Sequence, residues 1–570
     1  MQIYAYEQSH CLCFKHWCAI HVRVIISFVM HTIQIYAQVF LFNLYTVTSI
    51  DTPKEVIVKT ANGYISGLEL QDYNNNLYYA FQSVPYAQPP IGDLRFLPPK
   101  ESLPWVGVKD GTRESPQCVQ PAGPTFVGQE DCLYLNVYTN ALNNSHLQPV
   151  VVYIHPGGFF RSSGIFSNAN PKLLITENIV IVTINYRLSA FGFLTLGNST
   201  LITPNNGFRD QVMVLKWIQN NIMQFGGNPY SVTISGVSAG GLSAHYHLYS
   251  PLSKGLFHKI ISRSNTVLAP LEPLKWNTAI ELAEELDINT ENFTSMIQNL
   301  RNISVEDLYK AQERKHWFDF YLDKPMYSGL YIEKPSNLSF ISDSLLSATK
   351  SGNFNRVPMM LSNTNMEGMV FNSSAIPNLW QMTNISIHVP SLFGVNHSLM
   401  VDEVENYYFN NNSFKYPYYE FWGDIWYKHA AYRTLQFASK YQKIYMMNFG
   451  LDTNLNVFKL THSTIANVDG ACHTDDDTYI YNKLLSPQIV PNSLEETWMK
   501  RMIRLQANFI KYSNPTPFSD NLLMNVKWKP YRKASANVLM LNNTNMWIGK
   551  EYNKNFGFWE RMYQKYAPGK

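Results

Sequence analysis

The stretch Val232, Thr233, Ile234, Ser235, Gly236, Val237, Ser238, Ala239, Gly240, Gly241 carries more information than any other part of the chain. A β-branched, apolar run enters a Gly-x-Ser-x-Gly pattern and leaves it through small residues. That order describes a strand, a sharp turn and the start of a helix. In such an elbow the middle residue sits on a strained backbone, and the flanking glycines admit neighbouring chain where a Cβ would collide. Ser238 is therefore the candidate nucleophile. The pattern is short enough to occur by chance, so its weight comes from its surroundings.

Upstream, the run Val150 to Ile154 leads directly into His155, Pro156, Gly157, Gly158 and Phe159. A strand that ends in a glycine loop can aim backbone N–H groups at one point. A tetrahedral acyl-transfer intermediate concentrates its charge on one oxygen, and removing one such donor costs about 3 kcal/mol of transition-state stabilisation. Gly157 and Gly158 are candidates for that oxyanion hole, with the amide of Ala239 as the third donor. A serine hydroxyl also needs a histidine held in the right tautomer by a carboxylate, and in elbows of this kind the acid and then the base follow the serine along the chain. Glu367, in Asn365, Met366, Glu367, Gly368, lies just past the apolar run Val357 to Leu361. His473, in Asp469 to Asp476, lies beyond the run Ile444 to Asn448.

Strand-like runs at Val150 to Ile154, Ile179 to Asn185, Ser231 to Ser235, Lys259 to Ser262, Val357 to Leu361 and Ile444 to Asn448 alternate with helix-like segments. Several are apolar throughout, as strands buried on both faces are. Helices are expected over Asp210 to Met223, Ala279 to Leu286 and Thr497 to Tyr512, the last ended by Asn514 and Pro515. The class is α/β: a large, twisted, mostly parallel sheet with helices on both faces. A hairpin from Val56 to Leu70, turning near Asn62 and Gly63, is expected at one edge. The stretches Phe293 to Phe354 and Asn372 to Lys415 lack clean periodicity and are expected to be lid or rim excursions. No repeat or linker divides residues 51–570, which read as one domain.

The 570 residues are 45% hydrophobic and only 15% charged, with a net charge of +3. A chain of this kind buries a large core, and without a basic run it is a poor match for nucleic acid; a small neutral ligand suits it better. Val24 to Thr48 is mostly apolar, preceded by Lys15 and Arg23 and followed by small polar residues, so residues 1–49 read as a signal peptide cleaved near Ser49. Gln34, Gln38 and Asn43 make a permanent spanning helix a worse reading. A start at Met30 would leave the same mature product. Ten sequons fit export: Asn143, Asn198, Asn292, Asn302, Asn337, Asn372, Asn384, Asn396, Asn411 and Asn542. The C-terminal Tyr566 to Lys570 carries no apolar tail for a lipid anchor and no retention tetrapeptide, so the expected location is extracellular, without a stable membrane anchor. Cleavage removes Cys11, Cys13 and Cys18. Of the remaining three, Cys118 and Cys132 can close a short loop as a single disulfide, and Cys472 reads as a buried free thiol. No spacing suggests a metal site or a phosphate loop, and no cofactor is expected.

Taken together these segments resemble the type B carboxylesterase and cholinesterase family of α/β-hydrolases, over nearly all of the mature chain. Besides the elbow, the resemblance rests on Phe81 to Pro90 with Gly92, Arg95 and Phe96, and on Glu130 to Tyr138. It rests also on Asn185, Tyr186 and Arg187, on Asp210 and Gln211, and on Phe225 to Pro229. Within the family, the His-x-Asp-Asp pattern at His473 to Asp476 and the overall layout look most like secreted insect carboxylesterases. The resemblance implies the α/β-hydrolase fold, a Ser238, Glu367, His473 triad and an oxyanion hole from Gly157, Gly158 and Ala239. It further implies the Cys118 to Cys132 bridge and ion pairs of Arg95 with Glu130 and Arg187 with Asp210.

Departures bear on the substrate. Val237 stands where family members usually carry Glu, and where juvenile hormone esterases tend to carry Gln, which argues mildly against that specialised assignment. No Trp lies between Cys118 and Cys132, so binding of a quaternary ammonium by cation–π contact, and with it acetylcholine, is unsupported. Pro156 replaces a glycine of the oxyanion motif at a position that need not donate. Arg263 and Asn265, on either side of Ser264, depart from the usual residues and bear on the pocket wall. The activity implied is secreted hydrolysis of uncharged, fairly hydrophobic esters through an acyl-enzyme. Two other readings stand beside it, a hormone- or lipid-specific esterase and a catalytically silent adhesion or matrix protein of the same fold. Silent relatives typically lose triad members, whereas here all three positions are filled. His155 is expected to support the glycine loop, His245 and His247 to pack on the helix after the elbow, and the aromatic run Tyr416 to Phe421 to line core or gorge.

Overall fold

Seven parallel strands fill the middle of the molecule, and each of the six apolar runs expected from the sequence supplies one of them. The computed structural model describes residues 54–569, apart from residues 124, 143–145, 198, 272, 315–326, 373–384, 386–388, 390–396, 411–412, 484 and 551–554. The N-terminal segment read as a signal peptide, with Cys11, Cys13 and Cys18, lies outside the described residues. So do the sequons at Asn143, Asn198, Asn384, Asn396 and Asn411.

In chain order the strands of the main sheet are β1 (Glu55–Lys59), β2 (Tyr64–Gln71), β3 (Leu77–Pro85), β4 (Tyr134–Thr139), β5 (Gln148–Ile154) and β6 (Val180–Ile184). They continue with β7 (Gly227–Val237), β8 (Lys259–Arg263), β9 (Met359–Thr364), β10 (Ile444–Phe449), β11 (Val538–Leu541) and β12 (Met546–Gly549). Their spatial order is β1-β2-β3-β4-β6-β5-β7-β8-β9-β10-β11-β12, with the short segment Val108–Lys109 beside β2. From β6 to β11 every pairing is parallel. The hairpin β1–β2 turns where expected and closes one edge antiparallel. β9 begins two residues later than its apolar run, because Pro358 has no N–H to give the ladder.

Alternation along these strands explains why they read as continuously apolar. Val150, Val152 and Ile154 face one hydrophobic layer while Val151 and Tyr153 face another. Met359 and Leu361 divide from Met360 in the same way. Helices cover both faces, and neither face of a central strand meets water. Asn206–Asn221 puts Phe208, Val214, Leu215 and Ile218 on the first layer. Leu494–Tyr512 puts Trp498, Met502, Leu505 and Phe509 on the second. Ser493 caps that helix, its hydroxyl accepting the Glu496 amide at 3.1 Å while the Glu496 carboxylate accepts the Asn492 amide at 2.8 Å. The described residues from Glu55 onward cluster as one compact unit.

The stretch Phe293 to Phe354, expected as a lid or rim excursion without clean periodicity, is partly helical. It contains helices Phe293–Asn302, Val305–Arg314 and Leu345–Ser351. Met296, Ile297 and Leu300 recur at helical spacing and are buried, but ten residues give too few turns for the period to stand out from sequence alone. Of Asn372 to Lys415, the described part includes the helix His397–Tyr408.

A disulfide joins Cys118 to Cys132 across 14 residues. The ion pairs expected from the resemblance are both present, buried and bidentate: Arg95 with Glu130 at 2.5 Å and Arg187 with Asp210 at 2.7 Å. Arg95 also donates to the carbonyls of Leu300, Arg301 and Ile303, closing the C-terminus of the helix Phe293–Asn302. Closing a loop of this length restricts the unfolded chain by about 3 kcal/mol. The double variant Cys118→Ala/Cys132→Ala is expected to melt about 3 °C below the wild type, a shift that differential scanning calorimetry resolves. An unchanged melting temperature would count against the bond.

Candidate active site

Ser238 occupies the turn between β7 and the helix Ala239–Tyr249 with φ 58° and ψ −124°, a conformation few side-chain-bearing residues adopt. The close approach of the elbow to its neighbours explains the glycines. A Cβ on Gly236 would lie 2.3 Å from the backbone carbonyl carbon of Gly240, and one on Gly240 would lie 2.0 Å from the Ile154 oxygen. The helix after the elbow thus packs directly on the end of β5. The Ser238 amide donates to the Arg263 carbonyl at 2.9 Å, which ties the elbow to the end of β8.

Glu367 and His473, separated by 106 residues, meet because β9 and β10 are neighbours and both loops leave the same edge of the sheet. A bridge between Met366 and Cys472 joins the loops, and the Asn365 side chain accepts the Ala471 amide at 2.8 Å. His473 Nδ1 lies 2.6 Å from Glu367 Oε2, and His473 Nε2 lies 2.7 Å from Ser238 Oγ. The other Glu367 oxygen accepts the Thr364 amide at 2.8 Å and the Asn363 side-chain amide at 3.2 Å. Burial alone would raise the Glu367 carboxyl, but the histidine opposite and the Thr364 amide hold it below the usual glutamate range. A carboxylate that only accepts places the imidazole proton on Nδ1. Nε2 is then left to accept the serine O–H. The Tyr427 ring lies 4.6 Å from the imidazole and covers it.

Gly157 and Gly158 have φ of 110° and 60°, and a Cβ on Gly157 would strike the Arg161 carbonyl at 2.2 Å. Only glycine makes that turn, whose carbonyl at Gly157 accepts the amides of Phe160 and Arg161. Both glycines, Ala239, Ser238 and His473 line one cavity of about 490 Å³. Its wall includes Leu242, Val267, Leu271, Leu330, Phe371 and Trp426. Arg161 and Lys483 also border it, and no Asp or Glu does among the described residues.

The remaining expectations can be placed one by one. His155 stacks on Tyr186 with ring centres 4.4 Å apart, its Nδ1 2.8 Å from the Pro156 carbonyl, and burial lowers its pKa to about 4, so it stays neutral. His245 and His247 are buried in the helix after the elbow, lowered by burial to about 3. Phe421 joins an apolar cluster with Trp422 and Trp559. Cys472 is a buried free thiol, its pKa raised by burial. Asn292, Asn302, Asn337 and Asn542 are exposed. Asn372 is buried, its amide donating to the Tyr419 hydroxyl at 2.6 Å, and has no room for a glycan in this conformation.

Asn265 lines the cavity, but Arg263 does not. Its guanidinium turns to the other side of the sheet, where Nη2 donates to Asp477 Oδ1 at 2.6 Å and Nη1 lies 3.5 Å from Asp476 Oδ2. Lys483 and Tyr153 reach the second Asp477 oxygen, both at 2.8 Å. Burial works against the Asp477 anion, yet Lys483 and Arg263 hold its pKa at about 2. Sequence reasoning missed this network. Three consecutive aspartates just after a candidate histidine were its one visible sign.

A model of the carboxylesterase family matches residues 54–559. Juvenile hormone esterase of Tribolium castaneum is 32% identical over 532 residues, covering 86% of this chain and 89% of that protein. Venom carboxylesterase-6 of Apis mellifera is 31% identical over 465 residues, covering 77% of this chain and 82% of that protein. The crystal structure of juvenile hormone esterase from Manduca sexta with OTFP covalently attached matches with a TM-score of 0.79 at 26% identity. It covers 90% of this chain and 100% of that one.

Proposed function

The chain belongs to the carboxylesterase family and is a carboxylic-ester hydrolase, and we propose that it works as a secreted enzyme on uncharged, hydrophobic esters with Ser238, His473 and Glu367 as its triad. The observation that carries the mechanism is the unbroken line from Ser238 Oγ through His473 to Glu367, with both hydrogen bonds under 3 Å. Ser238 Oγ attacks the ester carbonyl as His473 Nε2 takes its proton. The tetrahedral oxyanion is held by the amides of Gly157, Gly158 and Ala239. The bond to the alkoxide then breaks, and the imidazolium returns its proton to the leaving alcohol. Water attacks the acyl-serine with His473 again as base, and the carboxylic acid departs with Ser238 restored. Glu367 stays ionised throughout and stabilises the imidazolium.

The apolar wall supports the substrate class, since a cavity of this size lined mainly by hydrocarbon favours ligands that lose little hydration on entry. Val237 before the nucleophile and the lack of a carboxylate on the described wall argue against a cationic ester. The N-terminal apolar segment and the exposed sequons support export. In a panel of neutral and cationic esters, kcat/KM for p-nitrophenyl butyrate is expected to exceed that for butyrylthiocholine by at least about 100-fold, about 2.7 kcal/mol of discrimination. Near-equal values would remove the substrate reading while leaving the mechanism intact. The mechanism is tested by an organophosphate that inactivates with one equivalent per chain. The label should map to Ser238, and a label elsewhere would overturn the assignment.

A further inference from the structure

Most buried ion pairs in the molecule hold one structural segment to another, but the pair at Arg263 joins the two halves of the reaction centre. Arg263 is the last residue of β8, in register with Val237 of β7, the residue before the nucleophile. Its carbonyl accepts the Ser238 amide at 2.9 Å. Its guanidinium, 1% exposed, grips Asp477 at 2.6 Å and pairs with Asp476 at 3.5 Å. Those two carboxylates follow His473 by four and three residues and are fully buried themselves. One residue therefore holds the nucleophile through its main chain and the base-bearing loop through its side chain.

We propose that Arg263 is a positioning residue for the esterase reaction, fixing the distance between Ser238 and His473 by tying the loop after His473 to the strand that holds the nucleophile elbow. The inference rests on the triad reading given above. Three observations set this pair apart from an ordinary core contact. The Asp477 carboxylate is shared with Lys483 and Tyr153, so the loop is held from β8, from β5 and from its own later residues at once. The loop leaves His473 through Thr474, which adopts φ 70°, and continues in a short 3₁₀ turn, Asp475–Tyr479, so the anchor acts within one turn of the imidazole. Arg263 does not line the cavity, so its replacement takes no side chain away from the substrate's binding surface. A loss of fit at the reacting atoms with an unchanged pocket is a loss in kcat, and a displacement of about 1 Å from a remote change can cost on the order of 100-fold.

The test compares Arg263→Met, Arg263→Lys and the double variant Arg263→Met/Asp477→Leu with the wild type. Active sites are counted by organophosphate titration, and kcat and KM are measured with p-nitrophenyl butyrate. Per titrated site, Arg263→Met is expected to lose about 100-fold in kcat with KM within threefold of the wild type. Arg263→Lys, which keeps a cation for Asp477, should recover most of that loss, to within about tenfold. The double variant removes the Asp477 carboxylate together with the guanidinium that faces it, so the anchor is lost without a buried anion stripped of its cation, and it gives a second folded readout beside Arg263→Met; it should remain slow. Wild-type kcat per titrated site in Arg263→Met or in the double variant overturns the inference. So does a change confined to KM. A wild-type enzyme that takes up no organophosphate at Ser238 would instead sink the triad reading beneath it.

Discussion

Replacing Ser238 by alanine is expected to lower kcat for a p-nitrophenyl ester by about 10⁶-fold with little change in KM, leaving turnover near the level that binding and the oxyanion hole sustain alone. The size follows from what the hydroxyl touches. Its one hydrogen-bond partner in the described structure is His473 Nε2, so truncation removes the nucleophile and breaks no support of the fold. The Cβ remains, and with it the volume that holds the turn at φ 58°. The amide of residue 238 still donates to the Arg263 carbonyl, the amide at 239 still heads the helix, and Gly157 and Gly158 keep their turn. Substrate should therefore bind the variant as before, and the difference appears in the acylation step. Steady-state kinetics with active-site titration of the parent measures it. A variant retaining more than about 1% of wild-type kcat would place the nucleophile elsewhere. A wild type no faster than the variant would return the chain to the silent adhesion reading.

What could be read from the chain and what could not divide along a physical line. The elbow was legible because its requirements are local: a strand, a turn that excludes Cβ atoms and a helix start all fall within ten consecutive residues. Six of the seven parallel strands were legible because strands buried on both faces are largely apolar along their length, and Val180–Ile184 is buried throughout. The pairing of Glu367 with His473 depends on β9 and β10 becoming neighbours, and nothing in either loop announces it; the resemblance carried that step. Helices Phe293–Asn302 and Val305–Arg314 escaped because each presents one narrow apolar stripe over about three turns. The Arg263 network escaped for a different reason. An arginine on one strand and aspartates some 210 residues later look like ordinary solvated charges until the sheet buries them together, and burial is the property a composition cannot show.

Glu367→Gln is expected to cost about 10⁴-fold in kcat, again with KM nearly unchanged, because an amide cannot do what the carboxylate does at that position. One Glu367 oxygen accepts the Thr364 and Asn363 donors, and glutamine can keep that arrangement with its own carbonyl. Its amino group is then forced to face His473 Nδ1 at a distance of about 2.6 Å in the parent. An N–H pointing there needs an acceptor, so the imidazole must carry its proton on Nε2 instead. That nitrogen then donates towards Ser238 and cannot take the hydroxyl proton. The alternative flip keeps the histidine tautomer but turns the amino group against the Thr364 amide, setting donor against donor in a buried site. Either way the imidazolium also loses the anion that contacts it directly. Glu367→Asp separates the two effects: the charge survives while the shorter side chain falls about 1 Å or more short of the ring, so its loss should lie between those of the wild type and Glu367→Gln. Organophosphate titration of each variant shows whether Ser238 remains reactive in the folded protein. A Glu367→Gln enzyme within tenfold of the wild type would mean that His473 is oriented by something other than this carboxylate.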